Sequence, residues 1–421
     1  MKTLITHDGK FLAPLTSANG REPEALLARE RIGLFASQPQ GSQEMNLDDF
    51  LAGMHALGTE IKAQLVSMDE EIDLVLVGLL TGENVFFLSL PGAAKTTLAR
   101  MVAKGIDGRF FRINLNPDVS RNDLFGPLDP NALRDGRWSR RLSGLATATV
   151  ANLDELFKAS GAVLNMLLET YEEHTLTEPD AIHHLPLLLG IAASNELVNA
   201  VPQNAVWDRI LIRKEIVYPT RQQHWEGLLD CMGGRKPITT RLDPEEILLG
   251  QALVEHKAMS LPREIKSRMV KVRMQLIKVG LPISPRRFTG WGRAAVAHSL
   301  LRGESEMSPK SLLIGQHILW IDLEERDEVR NIVSQISDPE RQILLSAAAD
   351  VEEIMSRIEG EENLQALVGW RTKLTKHGKL MDARILDPDL EREKQDLLER
   401  VQTAQSRLVD RAGEVMEQRG E

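Results

Sequence analysis

Residues 84–103 constrain the fold more than any other stretch of the chain. The apolar run Asn84, Val85, Phe86, Phe87, Leu88 leads into SerLeuProGlyAlaAlaLysThrThr at 89–97, and Leu98, Ala99, Arg100, Met101, Val102, Ala103 continue with helical character. A buried strand, a loop of small residues, Lys-Thr and then a helix is the layout of a phosphate-binding loop. Pro91, Gly92, Ala93, Ala94, Lys95, Thr96 and Thr97 are its candidate binding residues. Successive backbone N–H groups and the positive end of the following helix can wrap a polyphosphate. Lys95 adds a mobile point charge, and the Thr96 hydroxyl can ligate the accompanying Mg²⁺. The consensus has Gly where Ser89 and Ala94 stand, and Gly is the residue that lets a backbone take φ > 0 or approach a ligand closely. A chance Lys-Thr after a strand is the plainer account of this segment.

Two downstream strands extend the pattern. Thr149 to Leu153 reads as a strand ending in Asp154 and Glu155, followed by a helix from about Leu156 to Glu173. Beside the first strand, such an end can point one carboxylate at a metal and the next at an attacking water. The plainer reading is a helix-capping acidic pair. A third apolar run, Leu185 to Ala193, ends in Ser194, Asn195, Glu196. Asn195 would then sit at the carboxyl edge where open parallel sheets bind ligands, although such an Asn is ordinarily a turn residue.

Arginines complete the set. Arg209 and Arg213 bracket the start of another apolar strand, Ile210 to Val217. Ser284 and Pro285 read as the N-cap and first residue of a helix that carries Arg286 and Arg287 in its first turn. Two cations there oppose the helix dipole by roughly 0.3–1 kcal/mol each, so something negative should offset them. Either a nearby carboxylate or a nucleotide's phosphate tail would serve.

In this order the motifs resemble those of the AAA+ ATPases, within them the MoxR family, and most closely its RavA branch. The resemblance spans about Leu65 to Leu323. It rests on SerLeuProGlyAlaAlaLysThr, LeuPheGlyProLeuAspPro at 124–130, AsnLeuAspGluLeuPheLysAla at 152–159, AlaAlaSerAsnGluLeu at 192–197, AspArgIleLeuIleArg at 208–213 and SerProArgArg at 284–287. It implies an α/β fold: a P-loop AAA+ core with a parallel sheet, an all-α lid and a helical C-terminal extension. It also implies ATP and Mg²⁺ as cofactors. By resemblance, Lys95 and Thr96 belong to Walker A, Asp154 and Glu155 to Walker B, and Asn195 to sensor 1. Arg209 is the arginine finger toward a neighbouring subunit, and Arg286 is sensor 2 within the subunit; Arg213 and Arg287 are the alternates for these two roles. Ala at position 94 is common in this family, whereas Ser89 departs from its pattern. The resemblance further implies a homo-oligomeric ring, expected as a hexamer, a partner carrying a von Willebrand A domain, and a protein client that is matured, remodelled or loaded with a metal cofactor. The β-rich insertion of the RavA branch has no counterpart here.

Bulk properties exclude other classes. The net charge of −10 over 421 residues argues against a broadly basic nucleic-acid surface. Arg134, Arg137, Arg140 and Arg141 read as a solvated hairpin. With 4% aromatic residues, a nucleic-acid motor has little support. One cysteine, Cys231, excludes an intrachain disulfide framework. No apolar run approaches the ~20 residues of a membrane span, and no secretory h-region follows Met1 and Lys2, so the cytoplasm is the expected compartment. An ATP-binding scaffold with little hydrolysis is the alternative to an active ATPase.

Composition and periodicity, read together with the resemblance, divide the chain into four segments, of which the ATPase domain and the lid are what the resemblance implies. Residues 1–45 read as an extended or partly disordered arm. Residues 46–219 form the α/β ATPase domain, in which helix begins near Asn46 and Leu57, Ile61, Leu65 and Met68 share one face before a helix through Ile72 to Leu80. Within it, 126–144 reads as a β-hairpin centred on Asp135-Gly136. A further insertion from Glu172 to His184 holds three of the ten histidines and reads as an exposed loop. Residues 220–330 form the lid, opened by the capping box Asp243, Pro244, Glu245, Glu246. Residues 331–421 are the helical extension. There, Asp338-Pro339 and Asp387-Pro388 start helices, and the stripe Leu397, Val401, Ala404, Leu408 suits either a short coiled-coil hairpin or packing against the lid.

Overall fold

A computed structural model describes residues 10–12, 44–90, 92–195, 206–231, 234–383 and 388–419. The chain divides into two compact units, Met1–Arg330 and Asn331–Glu421. Within the expected N-terminal arm, β1 (Lys10–Leu12) pairs antiparallel with β2 (Glu44–Asn46), and Asn46 then caps helix Leu47–Lys62 through its side chain. The rest of that arm lies outside the described residues.

The first unit is built on a five-stranded sheet. Its strands are β3 (Val85–Ser89), β4 (Phe110–Asn114), β5 (Val150–Asp154), β8 (Leu189–Ser194) and β9 (Ile212–Ile216), in the order β4-β5-β8-β3-β9. Every neighbouring pair is parallel. A parallel sheet needs both faces covered, and Val85, Phe86 and Phe87 of β3 are fully buried. Each such side chain contributes roughly 1.5–3 kcal/mol of burial, so the central strand is firmly held. Gly105 closes helix Lys95–Gly105 against the first helix: a Cβ there would lie 2.3 Å from Leu57 Cδ1. Leu57, Ile61, Leu65 and Met68 are all buried, although the helix ends at Lys62 and the last two lie in the connection to helix Asp69–Thr81.

Three segments differ from expectation. Glu155 takes a left-handed conformation, φ 58°, which a helix cannot continue, so Leu156–Lys158 is a single 3₁₀ turn and the helix proper is Gly161–Glu173, capped by Ser160. Residues 126–144 are not a β-hairpin. Their arms run antiparallel through the bridge of Leu128 with Arg140 and the backbone bonds Asp129 N–H to Ser139 O (2.8 Å) and Arg141 N–H to Pro127 O (2.9 Å) without forming strands, and the tip is the short helix Pro130–Arg134, because Asp129-Pro130 is a helix start signal. Asp135 and Gly136, φ 73°, terminate that helix instead of forming a two-residue turn. Conversely, the loop expected at 172–184 is a hairpin of β6 (Thr175–Glu178) and β7 (Ala181–His184). The buried Arg140 joins the two insertions through its Nε bond to Glu178 Oε1, 2.8 Å.

The helical segment after the sheet comprises Pro244–Met259, opened by Asp243 and its reciprocal box with Glu246, then Arg263–Lys278 and Pro285–Leu301. In the second unit, Pro339–Arg357, Leu364–Asp382 and Pro388–Arg419 enclose one core. Asp387 lies outside the described residues. Leu397, Val401, Ala404 and Leu408 pack there with Leu344, Val351, Leu367 and Leu374, so the stripe belongs to a three-helix core and not to a two-helix hairpin. Among the described residues, no helix is long and apolar enough to cross a membrane.

Candidate active site

The carboxyl ends of β3, β5 and β8 lie side by side because these strands are adjacent and parallel, which brings three motifs together from distant parts of the chain. They wall a cavity of about 500 Å³ that includes Gly92 to Thr97, Asp154, Glu155 and Asn195. Gly92 has φ 85°, and Ala94 has φ 54° at the point where the loop enters the helix. The positive φ explains why Gly is the usual occupant, and Ala holds it at a strain of roughly 1–2 kcal/mol. Pro91 lies outside the described residues.

Lys95 Nζ donates a hydrogen bond to Ser89 Oγ at the end of β3. Ser89 is therefore more than a missing glycine: its hydroxyl is a partner for the loop's only lysine. Burial pushes the Lys95 ammonium below its ordinary pKa, while Asp154 and Glu155 oppose that shift. Asn152 Nδ2 lies 3.4 Å from Thr96 Oγ1; Asn152 is fully buried and its Oδ1 has no partner. Asn195 Nδ2 donates to Glu155 Oε1 at 2.8 Å, so the third motif directly orients the second. Lys158 Nζ sits 3.3 Å from the other oxygen of Glu155. Thr96 and Asp154 present hard oxygen donors on neighbouring elements of one cavity wall, a set that suits Mg²⁺ and not a soft metal.

The four arginines separate into two kinds. Arg209 Nε binds Glu172 Oε2 at 2.6 Å and Arg286 Nη2 binds Glu172 Oε1 at 2.8 Å, and neither arginine lines the cavity. The carboxylate that offsets the Arg286 helix is thus Glu172. Burial pushes Glu172 up, but the two arginines outweigh it and hold its carboxyl below the usual range. Arg213 and Arg287, the alternates for finger and sensor, are fully buried. The Arg213 guanidinium lies 3.9 Å over the Trp207 ring and donates to the carbonyls of Trp320 (2.7 Å), Ile210 (3.2 Å) and Trp207. Arg287 donates to the carbonyls of Ile318 (2.8 Å), Asp208 (3.3 Å) and Leu211 (3.1 Å). Burial lowers both pKa values, that of Arg287 to about 10. With their donors committed to internal carbonyls, these two arginines cement the fold, and neither lines the cavity.

Sequence reasoning missed Arg112, Asn152 and Glu172. A polar Asn152 inside the run Thr149 to Leu153 was a visible signal, since fully covered strands rarely hold such a residue without a task, whereas Arg112 lies exposed on the edge strand β4 and carried none. Glu172 carried no such mark. Among the described residues, no group of three or more His, Cys, Asp or Glu is arranged to hold a metal, and His174, His183 and His184 lie on or beside the β6–β7 hairpin.

Residues 53–245 match the family described as the MoxR domain in the MoxR-vWA-beta-propeller ternary systems. An uncharacterised protein of Methanocaldococcus jannaschii is 31% identical over 305 residues, covering 70% of this chain and 80% of its own. Chaperone MoxR1 of Mycobacterium tuberculosis is 26% identical over 320 residues, covering 71% and 83%. A solved structure of a Cytophaga hutchinsonii protein proposed to be an ATPase superposes with a TM-score of 0.55 at 20% identity, over 69% of this chain and 94% of that one. This last likeness concerns the fold.

Proposed function

Since the chain belongs to the MoxR-type AAA+ ATPases, we propose that it hydrolyses ATP in a Mg²⁺-dependent reaction, acts as a homo-oligomeric ring of six subunits, and uses that cycle to remodel or mature a protein client. The observation that carries this reading is the convergence of Lys95, Thr96, Asp154, Glu155 and Asn195 on one cavity. Lys95 would bind the β- and γ-phosphates after leaving Ser89. Thr96 and Asp154 would hold Mg²⁺, which supplies charge neutralisation for the phosphates when bound. Glu155 would accept the proton of the attacking water, with Asn195 fixing the carboxylate's orientation through its amide. Phosphoryl transfer needs little covalent participation, so positioning and charge stabilisation make up most of the catalysis. Arg209 would act on the neighbouring subunit's γ-phosphate, and Arg286 would sense γ-phosphate through movement of its helix; each would first leave Glu172.

The partners follow from the family's description, which couples MoxR domains with von Willebrand A and β-propeller proteins. A partner with a von Willebrand A domain is accordingly proposed here, and metal-cofactor loading is one form the client's maturation would take. The RavA branch rests on motif likeness alone, so the ternary-system branch is preferred. The contact between Ser89 and Lys95 favours one other reading, an ATP-binding scaffold with slow turnover, because the lysine must exchange one partner for another.

Steady-state phosphate release separates the two. An active ATPase turns over, Glu155→Gln retains ATP binding without turnover, and Lys95→Ala loses nucleotide. Wild-type turnover in Glu155→Gln, or unchanged ATP affinity in Lys95→Ala, refutes the assignment.

A further inference from the structure

The carboxylate assigned to the metal already has a cation. On adjacent parallel strands, Arg112 of β4 is paired with Asn152 and Asn114 is paired with Asp154 of β5, so Arg112 and Asp154 are diagonal neighbours on one face. Arg112 Nε and Nη2 both reach Asp154 Oδ2, at 3.1 and 3.0 Å. Both residues line the cavity. The Asp154 side chain is 16% exposed and that of Arg112 51%, so the carboxylate is held in place while the guanidinium can leave by rotating its own side chain.

A dication that approaches Asp154 meets a guanidinium on the same carboxylate: the two positive charges repel, and Oδ2 is already engaged by two N–H groups. We propose that Arg112 is a built-in counter-cation of the nucleotide site, which holds Asp154 until Mg²⁺ displaces it. This rests on the ATPase reading and deepens it. Arg112 screens the Asp154 carboxylate from the triphosphate when nucleotide arrives without metal, and it opposes Mg²⁺ when metal arrives with it. Both effects make nucleotide binding less dependent on metal than a bare Asp154 would allow. Neither requires Arg112 to touch the phosphates.

The quantity that reports this is the ratio of dissociation constants for a slowly hydrolysed ATP analogue in EDTA and in Mg²⁺. Exposed ion pairs shift equilibria by at most a few-fold, and removing the like charge beside a dication adds to that, so Arg112→Ala should raise the ratio by about tenfold. Arg112→Lys, which keeps the charge but not the two-pronged contact, should fall between the two. In an Asp154→Asn background, Arg112→Ala should raise the ratio by much less, since the ion pair no longer exists and only the repulsion between Arg112 and the dication is left to remove. Far-UV circular dichroism and melting temperature, unmoved in Arg112→Ala, separate this from loss of fold.

An unchanged ratio overturns the proposal. A smaller ratio does so as well, and so does a larger ratio that comes with weaker binding in Mg²⁺, which would make Arg112 a phosphate ligand. Lys95→Ala, run alongside, keeps the two readings apart. If it loses the analogue in both buffers while Arg112→Ala leaves the ratio alone, only the counter-cation idea falls. If the wild type binds no analogue in either buffer, the nucleotide reading falls and takes this one with it.

Discussion

Arg213→Met should destabilise the fold without removing any part of the nucleotide site. The guanidinium is fully buried, stacks 3.9 Å from the Trp207 ring and donates to three carbonyls, those of Trp320, Ile210 and Trp207. A hydrogen bond to a charged group is worth about 1.5–3 kcal/mol net, so three of them set a gross loss of several kcal/mol. Relief from burying a charge returns part of this. Methionine fills comparable volume and recovers some contact with the two tryptophans. The net cost is about 3 kcal/mol, at the lower end of what breaking a buried polar network produces. For a unit of this size, with roughly 2 °C lost per kcal/mol, the melting temperature should fall by about 6 °C. Thermal melts followed by far-UV circular dichroism, with urea midpoints as a second measure, provide the test. Wild-type melting would refute the reasoning, and wild-type melting combined with abolished hydrolysis would restore Arg213 as a catalytic arginine.

Two further outcomes are expected. If Arg209 reaches the neighbouring subunit's nucleotide, Arg209→Ala and Glu155→Gln chains are each inactive alone but recover part of the activity when co-assembled, since each supplies what the other lacks and a finger in trans contributes on the order of 10³ or more in rate; phosphate release against mixing ratio, with mixed rings confirmed by mass, reads this, and no recovery at any ratio excludes Arg209. The pH dependence of stability should include at its acid end a contribution from two carboxylates held at about 2 in the folded protein against an ordinary 4.5: Glu60 by hydrogen bonds from Thr239 and Thr240, and Glu70 by His317 and Lys214, which outweigh the burial that pushes it up. Their folded values are depressed, so their contribution is complete above about pH 4.5 and is lost as pH falls toward 2; Glu60→Gln and Glu70→Gln should each flatten that slope in melts across pH, and an unchanged slope in both would contradict the assignment.

Much of the site could be read from local order. Strand, small-residue loop, Lys-Thr and helix fall in one continuous segment, and the caps Ser284 and Asp243 act on N–H groups only two or three residues away. Where expectation failed locally, the cause was a single backbone state or a single cap. Glu155 in the left-handed region delays the helix to Gly161, and Asp129-Pro130 starts a helix that ends at Asp135-Gly136, where the hairpin turn was read. The left-handed Ala94 was legible as a place where the consensus has Gly, but the partnership of Ser89 with Lys95 was not, because a hydroxyl has no periodicity to betray its aim.

By itself, then, the sequence determined the strand, loop and helix of residues 84–103, the phosphate-loop chemistry of Lys95 and Thr96, and the acids at the end of β5, since each depends on interactions within a few residues. Only the tertiary structure decided which arginines are available. Arg286 and Arg287 are adjacent in the chain, yet helical rotation sends one to Glu172 and the other beneath the carbonyl of Ile318. Arg209 and Arg213 divide the same way, because Trp320 folds back over the second from 107 residues further along. Arg112 likewise meets Asp154 only through the register of two strands. An arginine's role is set by what neutralises or stacks on it, and those partners come from distant segments that only the packed sheet brings within reach.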